Sequence, residues 1–429
     1  MRIAVVGGGW AGMAAAVTAR QAGHQVTLWE ASRTPGGRAR AVSAELPDGT
    51  PVLLDNGQHI LIGAYRECLR LMALVGVDPA KSLLRLPLRL RFPDGSGIAL
   101  PRCPAPLDAL AGIACARGWH ARDKLALVLQ ALRWRLDGFR CSADLSVTDL
   151  CRKLTPRVRS ELIEPLCVSA LNTMASESSG QVFLRVLRDA MFGGSGGSNL
   201  LLPRIDLSSL FPTAAAHWLR ERGAVVHIGS RVQHLTHEGD HWCIQGEKFD
   251  QVLLATAAPD ALHLLQASAP QWPDPLQSPT QRWIAMARQM QHMPIATVYA
   301  WAANARLDQP MLTLRADPAA AAPMPAQFVF DRGRLGGPAG LLAFVISASH
   351  GTREALQAQV LHQAKAQLGL QLQAVQTVIE KRATIACTPA LQRPPMEIAG
   401  GLLACADYVD GPYPSTLEGA VRSAIAAIR

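Results

Sequence analysis

The chain contains no cysteine pair at CxxC spacing and no cysteine and histidine set at metal-ligand spacing. Zinc modules and dithiol redox motifs are thereby excluded, and no metal centre is expected. Its nine cysteines, Cys68, Cys103, Cys115, Cys141, Cys151, Cys167, Cys243, Cys387 and Cys405, read as reduced, buried thiols of a cytoplasmic protein. Runs of five or six basic residues are missing too, although the formal net charge is +9. Arginines scattered in this way argue against a nucleic-acid partner and suit an anionic membrane surface at least as well. No apolar run approaches the roughly eighteen residues that a spanning helix needs. The apolar start of the chain is broken by Gly7, Gly8 and Gly9, where the core of a signal peptide would be continuous. The expected location is the cytoplasm, with peripheral contact to the inner face of the cytoplasmic membrane left open. With 17% charged and 49% hydrophobic residues, no segment reads as a disordered tail. The length favours two or three domains.

What is present begins at the second residue. Arg2 to Val6 is an apolar, β-branched run suited to a strand buried on both faces of a parallel sheet. Gly7-Gly8-Gly9-Trp10-Ala11-Gly12 then spells GxGxxG, and the alanine-rich stretch from Met13 to Gln21 is helical in character. Gly7 permits the tight turn, Gly9 lets a pyrophosphate approach the backbone, and Gly12 lets helix and strand pack closely. The helix N-terminus offers free N–H groups to phosphates. A second strand, Gln25 to Trp29, ends at Glu30, eighteen residues past Gly12. A carboxylate there accepts hydrogen bonds from ribose hydroxyls and repels a 2′-phosphate, which favours FAD or NAD over NADP.

Thr34-Pro35-Gly36-Gly37-Arg38 follows directly, a glycine doublet that lets the chain pass close to a cofactor, with Arg38 placed to pair with a phosphate. This doublet, stacked on the first motif, resembles the GG motif of the flavoprotein superfamily of amine oxidases, phytoene desaturases and protoporphyrinogen oxidases. The resemblance implies that Val232, after the strand-like Gly223 to Ile228, lies against the adenine through its backbone, and that Phe249 to Thr256 returns as a buried strand. Gly401-Leu402-Leu403-Ala404-Cys405-Ala406-Asp407 resembles that superfamily's strand ending in Gly-Asp, with Ala406 in place of the usual glycine. Ser415 and Glu418 stand at capping-box spacing before a helix reaching Ile428, whose start would face the flavin.

The expected fold is therefore α/β: a discontinuous, glutathione-reductase-type, Rossmann-like FAD-binding domain from residues 1–80, 200–260 and 395–429. Residues 81–199 carry helical apolar spacing, such as Leu125, Leu127, Val128, Leu132 and Leu136, and read as a mostly helical, membrane-facing cap. Gly193 to Ser198 reads as a flexible connector. Residues 261–394 read as a substrate-binding sheet with one helix, Arg353 to Leu368.

The run Leu54-Asp55-Asn56-Gly57-Gln58-His59-Ile60-Leu61-Ile62-Gly63, together with the first motif and Tyr413-Pro414-Ser415-Thr416-Leu417-Glu418-Gly419, resembles the squalene-associated FAD-dependent desaturases, understood as hydroxysqualene dehydroxylases. That resemblance implies a polyprenoid substrate, hydroxysqualene reduced to squalene on the route to hopanoids, and an upstream enzyme of the squalene-synthase kind. It also implies FAD contacts from Gly7, Gly9, Ala11, Gly12, Glu30, Gly37, Arg38, Gly57, Gln58, Val232, Asp407, Thr416 and Leu417. His59 and Asp55, on a loop expected beside the flavin, are candidate proton donors to the leaving hydroxyl, with a structural role for both as the alternative. Two rivals stay open: oxidation of an amine or of a carotenoid-type polyprenoid, and a non-catalytic FAD-bound partner in a terpenoid pathway. Only four tyrosines, Tyr65, Tyr299, Tyr408 and Tyr413, could build the aromatic cage of an amine oxidase.

Overall fold

The computed structural model describes residues 1–104 and 106–429. Strand β1 (Arg2–Val6), helix α1 (Trp10–Gln21) and strand β2 (Gln25–Glu30) follow the sequence pattern closely. They seed a six-stranded sheet in the order Val225–Ile228, β2, β1, Gln251–Leu254, Leu402–Ala404, Glu397–Ala399. All neighbours are parallel except the last pair. Both faces of this sheet are covered, which is why β1 is apolar without alternation. Ile3 and Val5 pack with the alanines of α1 and with Val421 and Ile425 of the final helix, Leu417–Ala426. Ala4 and Val6 face the other way, onto Trp29, Phe249 and the helix Ala258–Ser268. The expected strand from Phe249 to Thr256 is split. Glu247–Phe249 closes a three-stranded meander, and Gln251–Leu254 enters the main sheet after Asp250, whose carboxylate accepts the Arg2 N–H at 2.7 Å.

A second, five-stranded antiparallel sheet runs Met311–Thr313, Phe328–Asp331, Leu341–Ser347, His292–Trp301, Gln373–Ile385. The helix Arg353–Leu368 covers one face through Leu356, Val360 and Ala364. Its other face joins a core shared with residues of the helices Glu164–Leu171 and Gly180–Phe192, among them Leu171, Phe183, Tyr299, Phe330 and Val345. The stretch before those helices is not purely helical. Leu83–Leu86 pairs with Leu200–Pro203, and Arg89–Arg91 with Gly97–Ala99.

Two expectations need correction. The glycine-rich 193–198 segment is pinned: Gly63 and Ala64 donate to the Asn199 and Gly197 carbonyls at 2.9 Å, and Arg66 to Gly193. Its glycines serve close approach, since a Cβ on Gly193 would lie 2.2 Å from the Asp189 oxygen and one on Gly197 2.7 Å from the Ala190 oxygen. The thiols are all free, but Cys115 is exposed and Cys103 and Cys141 are only half-buried, so six of nine are core residues. Among the described residues no helix is long and apolar enough to cross a membrane.

Candidate functional site

Parallel strands deliver their carboxyl ends to one edge, and in open α/β sheets that edge is where ligands sit. Here Gly7, Glu30, Ser230, Thr256 and Asp407 arrive together and line a cavity of about 740 Å³. Its size suits a large ligand such as a dinucleotide. The glycines at its floor are required by geometry. Gly7 has φ +112° and a Cβ there would stand 2.7 Å from the Ala255 oxygen. A Cβ on Gly12 would fall 1.8 Å from the Gly7 oxygen. Gly36 donates its N–H to the Gly8 carbonyl at 2.9 Å, which fastens the second glycine motif to the first, and Gly37 has φ +62°. Glu30 is buried and accepts from the Gly8 and Ser32 N–H groups, each at 2.6 Å. Those bonds fix a carboxylate in the cavity wall while leaving lone pairs for ribose hydroxyls.

Arg38 takes a partner that the sequence reading did not foresee. Its guanidinium donates to Asp407 Oδ1 and to the Ala383 carbonyl, both at 2.5 Å. Burial disfavours its charge, and Asp407 outweighs that, so the group titrates above its ordinary value. The arginine and the aspartate thus hold each other at the cavity wall.

The final helix is capped differently from the expectation. Thr416, not Ser415, is the N-cap and accepts the Gly419 N–H at 2.9 Å. Ser415 sits at φ +56° and its hydroxyl accepts the Ile385 N–H. Glu418 is buried and turns away to accept the Glu67 and Cys68 N–H groups, capping the helix Arg66–Leu74 from a distance of 350 residues in sequence. Thr416 and Leu417 remain at the cavity, so a helix N-terminus does point into it.

A smaller cavity of about 180 Å³ adjoins the first, sharing Arg38, His59, Ala383, Ser415, Thr416 and Leu417. Apolar side chains dominate its walls: Ile295, Phe328, Phe330, Val345 and Val378 from the second sheet, Val168 and Ala170 from the cap. Asn56, Gly57, Gln58, Asn172, Glu380 and Thr384 also line it.

Of the expected cofactor residues, Gly7, Gly9, Ala11, Glu30, Gly37, Arg38, Val232, Asp407, Thr416 and Leu417 line the larger cavity. Gly57 and Gln58 line the smaller one, and Gly12 lies beneath the turn. His59 borders both cavities. Its Nδ1 is 3.0 Å from the Gly57 carbonyl, and burial holds its pKa below the usual histidine value. The ring is therefore neutral near pH 7, with Nδ1 carrying the proton.

Asp55 lines neither cavity, which corrects the expectation that it faces the reacting atoms. Its carboxylate is buried, accepts the Leu207 N–H at 2.8 Å and stands 3.9 Å from Arg332. Burial raises its pKa to about 6. The folded protein thus binds this proton more tightly than the unfolded chain, so stability falls as pH rises from about 4 to about 6 and then levels off. Asp55→Asn should abolish that component, changing the stability difference from the parent by roughly 3 kcal/mol across the window, as denaturant titrations at pH 4 and pH 7 would show.

Sequence reasoning missed Arg332, Asn172 and Glu380. Arg332 is buried and donates to Gln58 Oε1 at 3.1 Å, supporting the loop from beneath. Asn172 offered one signal, an asparagine closing a helix, and it takes the left-handed conformation at φ 47°. Glu380 accepts from Asn56 at 3.2 Å, and nothing in its strand marked it out.

The sequence matches the family described as flavin containing amine oxidoreductase over residues 10–427. It is 26% identical to a hydroxysqualene dehydroxylase from Rhodopseudomonas palustris across 98% of this chain and 95% of that one. It is 28% identical to a hydroxysqualene dehydroxylase from Zymomonas mobilis over 59% of this chain, and the match spans 61% of that relative's length. In fold it resembles an oxidoreductase from Methanosarcina mazei, with a TM-score of 0.72 at 15% identity over 99% of both chains. The glycine cradle, the buried carboxylate of Glu30 in the wall and the cavity at the carboxyl edge all fit FAD. The chain belongs to the flavin containing amine oxidoreductase family, and FAD is its cofactor.

Proposed function

We propose that this chain reduces hydroxysqualene to squalene, drawing a polyprenoid alcohol made by an upstream enzyme of squalene-synthase chemistry. The single observation that carries this reading is the small cavity beside the cofactor site, with an apolar lining from the second sheet and a few polar groups clustered where it meets Arg38 and His59. Relatives named for this activity support it. When bound, reduced FAD supplies the hydride that replaces the departing hydroxyl, which leaves as water with one added proton.

The chain's own residues have three tasks. Phe328, Phe330, Val345 and Val378 keep water from the reacting carbon. Asn56, Gln58 and Glu380 offer hydrogen bonds at the polar end of the cavity. His59, on the border of the two cavities, is the residue placed to pass a proton to the leaving oxygen. Because its pKa is lowered, the doubly protonated ring that can give up a proton is a minority at neutral pH, and turnover should climb as the pH falls toward that value. His59→Gln should lower kcat by about a hundredfold and flatten that climb, with FAD content unchanged. An unaltered pH profile would remove His59 from this role.

The reaction is tested by reducing the bound flavin with dithionite and mixing it anaerobically with hydroxysqualene. Reoxidised flavin and squalene in the organic extract support the proposal. An unchanged flavin spectrum with intact substrate would refute it and favour a non-catalytic partner.

A further inference from the structure

The helix Ala121–Leu136 turns leucines away from the core as well as toward it. Asp123, Leu127, Gln130 and Trp134 form its buried row. Two residues further on, about 200° around the helix, Leu125, Leu129, Leu132 and Leu136 are 59%, 48%, 51% and 86% exposed. A helix covered on one side carries polar residues on the other, and here that side is a continuous row of leucines. The preceding helix, Leu107–Ala114, is packed against it, bonded through Lys124 Nζ to the Ala114 carbonyl, and adds exposed Leu107 and Leu110. Most of the large exposed aliphatic side chains among the described residues thus lie on these two helices.

The charge around the row is mostly of one sign. Between residues 102 and 140 stand Arg102, Arg117, Arg122, Lys124, Arg133, Arg135 and Arg140, against Asp108, Asp123 and the exposed Asp137 that caps the helix. Asp108 and Asp123 are buried, Asp123 in the helix cap with the His120 N–H. A second copy of this face would bring like charges together, which disfavours self-association. An anionic bilayer meets both features at once, taking leucines below the headgroups and cations beside the phosphates.

We propose that the outer face of the helix Ala121–Leu136, with Leu107 and Leu110, docks this protein on an anionic lipid surface. This deepens the reading above, because a bilayer is the phase that holds a polyprenoid substrate. Docking does not depend on the reaction.

The full chain with FAD bound would be floated with vesicles of phosphatidylglycerol and phosphatidylcholine in equal parts, and with phosphatidylcholine alone. The comparison protein carries Leu125→Gln, Leu129→Gln, Leu132→Gln and Leu136→Gln, all on the solvent side, so its flavin spectrum should match the parent's. The parent should float with the anionic vesicles, and either neutral lipid or the four substitutions should cut the bound fraction about tenfold or more. Equal flotation of the variant, no flotation of the parent, or a parent dimer that the substitutions split without vesicle binding would each overturn the proposal. Vesicle binding without squalene formation leaves the docking face standing and removes the reaction. Turnover of detergent-dispersed substrate by a chain that ignores vesicles does the reverse.

Discussion

Gly12→Ala yields a folded but colourless protein. The new Cβ would lie 1.8 Å from the Gly7 oxygen and 3.1 Å from the Ala255 side chain, and neither neighbour can yield. Gly7 is itself held by its N–H bond to the Trp29 carbonyl at 2.7 Å and by a φ of +112° that few other residues adopt. The turn must therefore open, carrying the start of α1 and Gly9 away from the cofactor. FAD affinity is expected to fall by about a hundredfold or more, equivalent to roughly 3 kcal/mol. The circular dichroism of the sheet and helices should change little, because α1 is anchored further along by Met13, Val17 and Ala19. Parental FAD affinity in this variant would show that the glycine turn does not shape the site.

Arg332→Met is expected to be the most destabilising substitution beneath the smaller cavity. The guanidinium is buried, bonded to Gln58 Oε1 and close to the Asp55 carboxylate. Its removal strands one buried acceptor and one buried acid, and losing one partner of such a pair costs about 3 to 5 kcal/mol. Asp55 would respond by holding its proton to still higher pH. A second change, Asp55→Asn, should recover much of the loss, since the amide oxygen can still accept the Leu207 N–H. Denaturant midpoints of the parent, the two single variants and the double variant measure this coupling. Strict additivity would show that Arg332 and Asp55 do not support one another.

The parts of the site that were legible in the sequence are those where covalent geometry leaves few choices. A glycine at a left-handed or crowded position has no substitute, so Gly7, Gly12 and the Gly36-Gly37 doublet announced the cofactor site from a few dozen residues. Strands buried on both faces announced the sheet, and the helix read over Arg353 to Leu368 forms with those bounds, capped in the structure by Thr352 and ended by Gly369 at φ 68°. Contacts between distant segments were not legible. Glu418 has the spacing of a local cap yet serves the helix beginning at Arg66, because burial brings two helix starts together and the longer reach wins. Asp55 sat in the most family-specific run, and its side chain points beneath the loop because Leu207 and Arg332 wait there. Glu380 lies within the strand Gln373–Ile385, and its position at the cavity follows only from how the chain packs around it.

The helical cap shows the same limit from the opposite side. Apolar spacing from Leu125 to Leu136 indicated a helix, which the structure extends back to Ala121, but periodicity alone could not say which leucines the core would take. The structure gave the inner row to Leu127 and Trp134 and left Leu125, Leu129, Leu132 and Leu136 outside.

Everything proposed for this chain rests on segments near residues 9, 37, 232 and 407 meeting around one FAD. Equilibrium titration of FAD into the flavin-stripped, folded chain, followed by the quenching of flavin fluorescence, examines that meeting without reference to any substrate. One FAD bound per chain, with affinity lost in Gly12→Ala, is the predicted result. A folded parent that takes up no FAD at micromolar supply would contradict it.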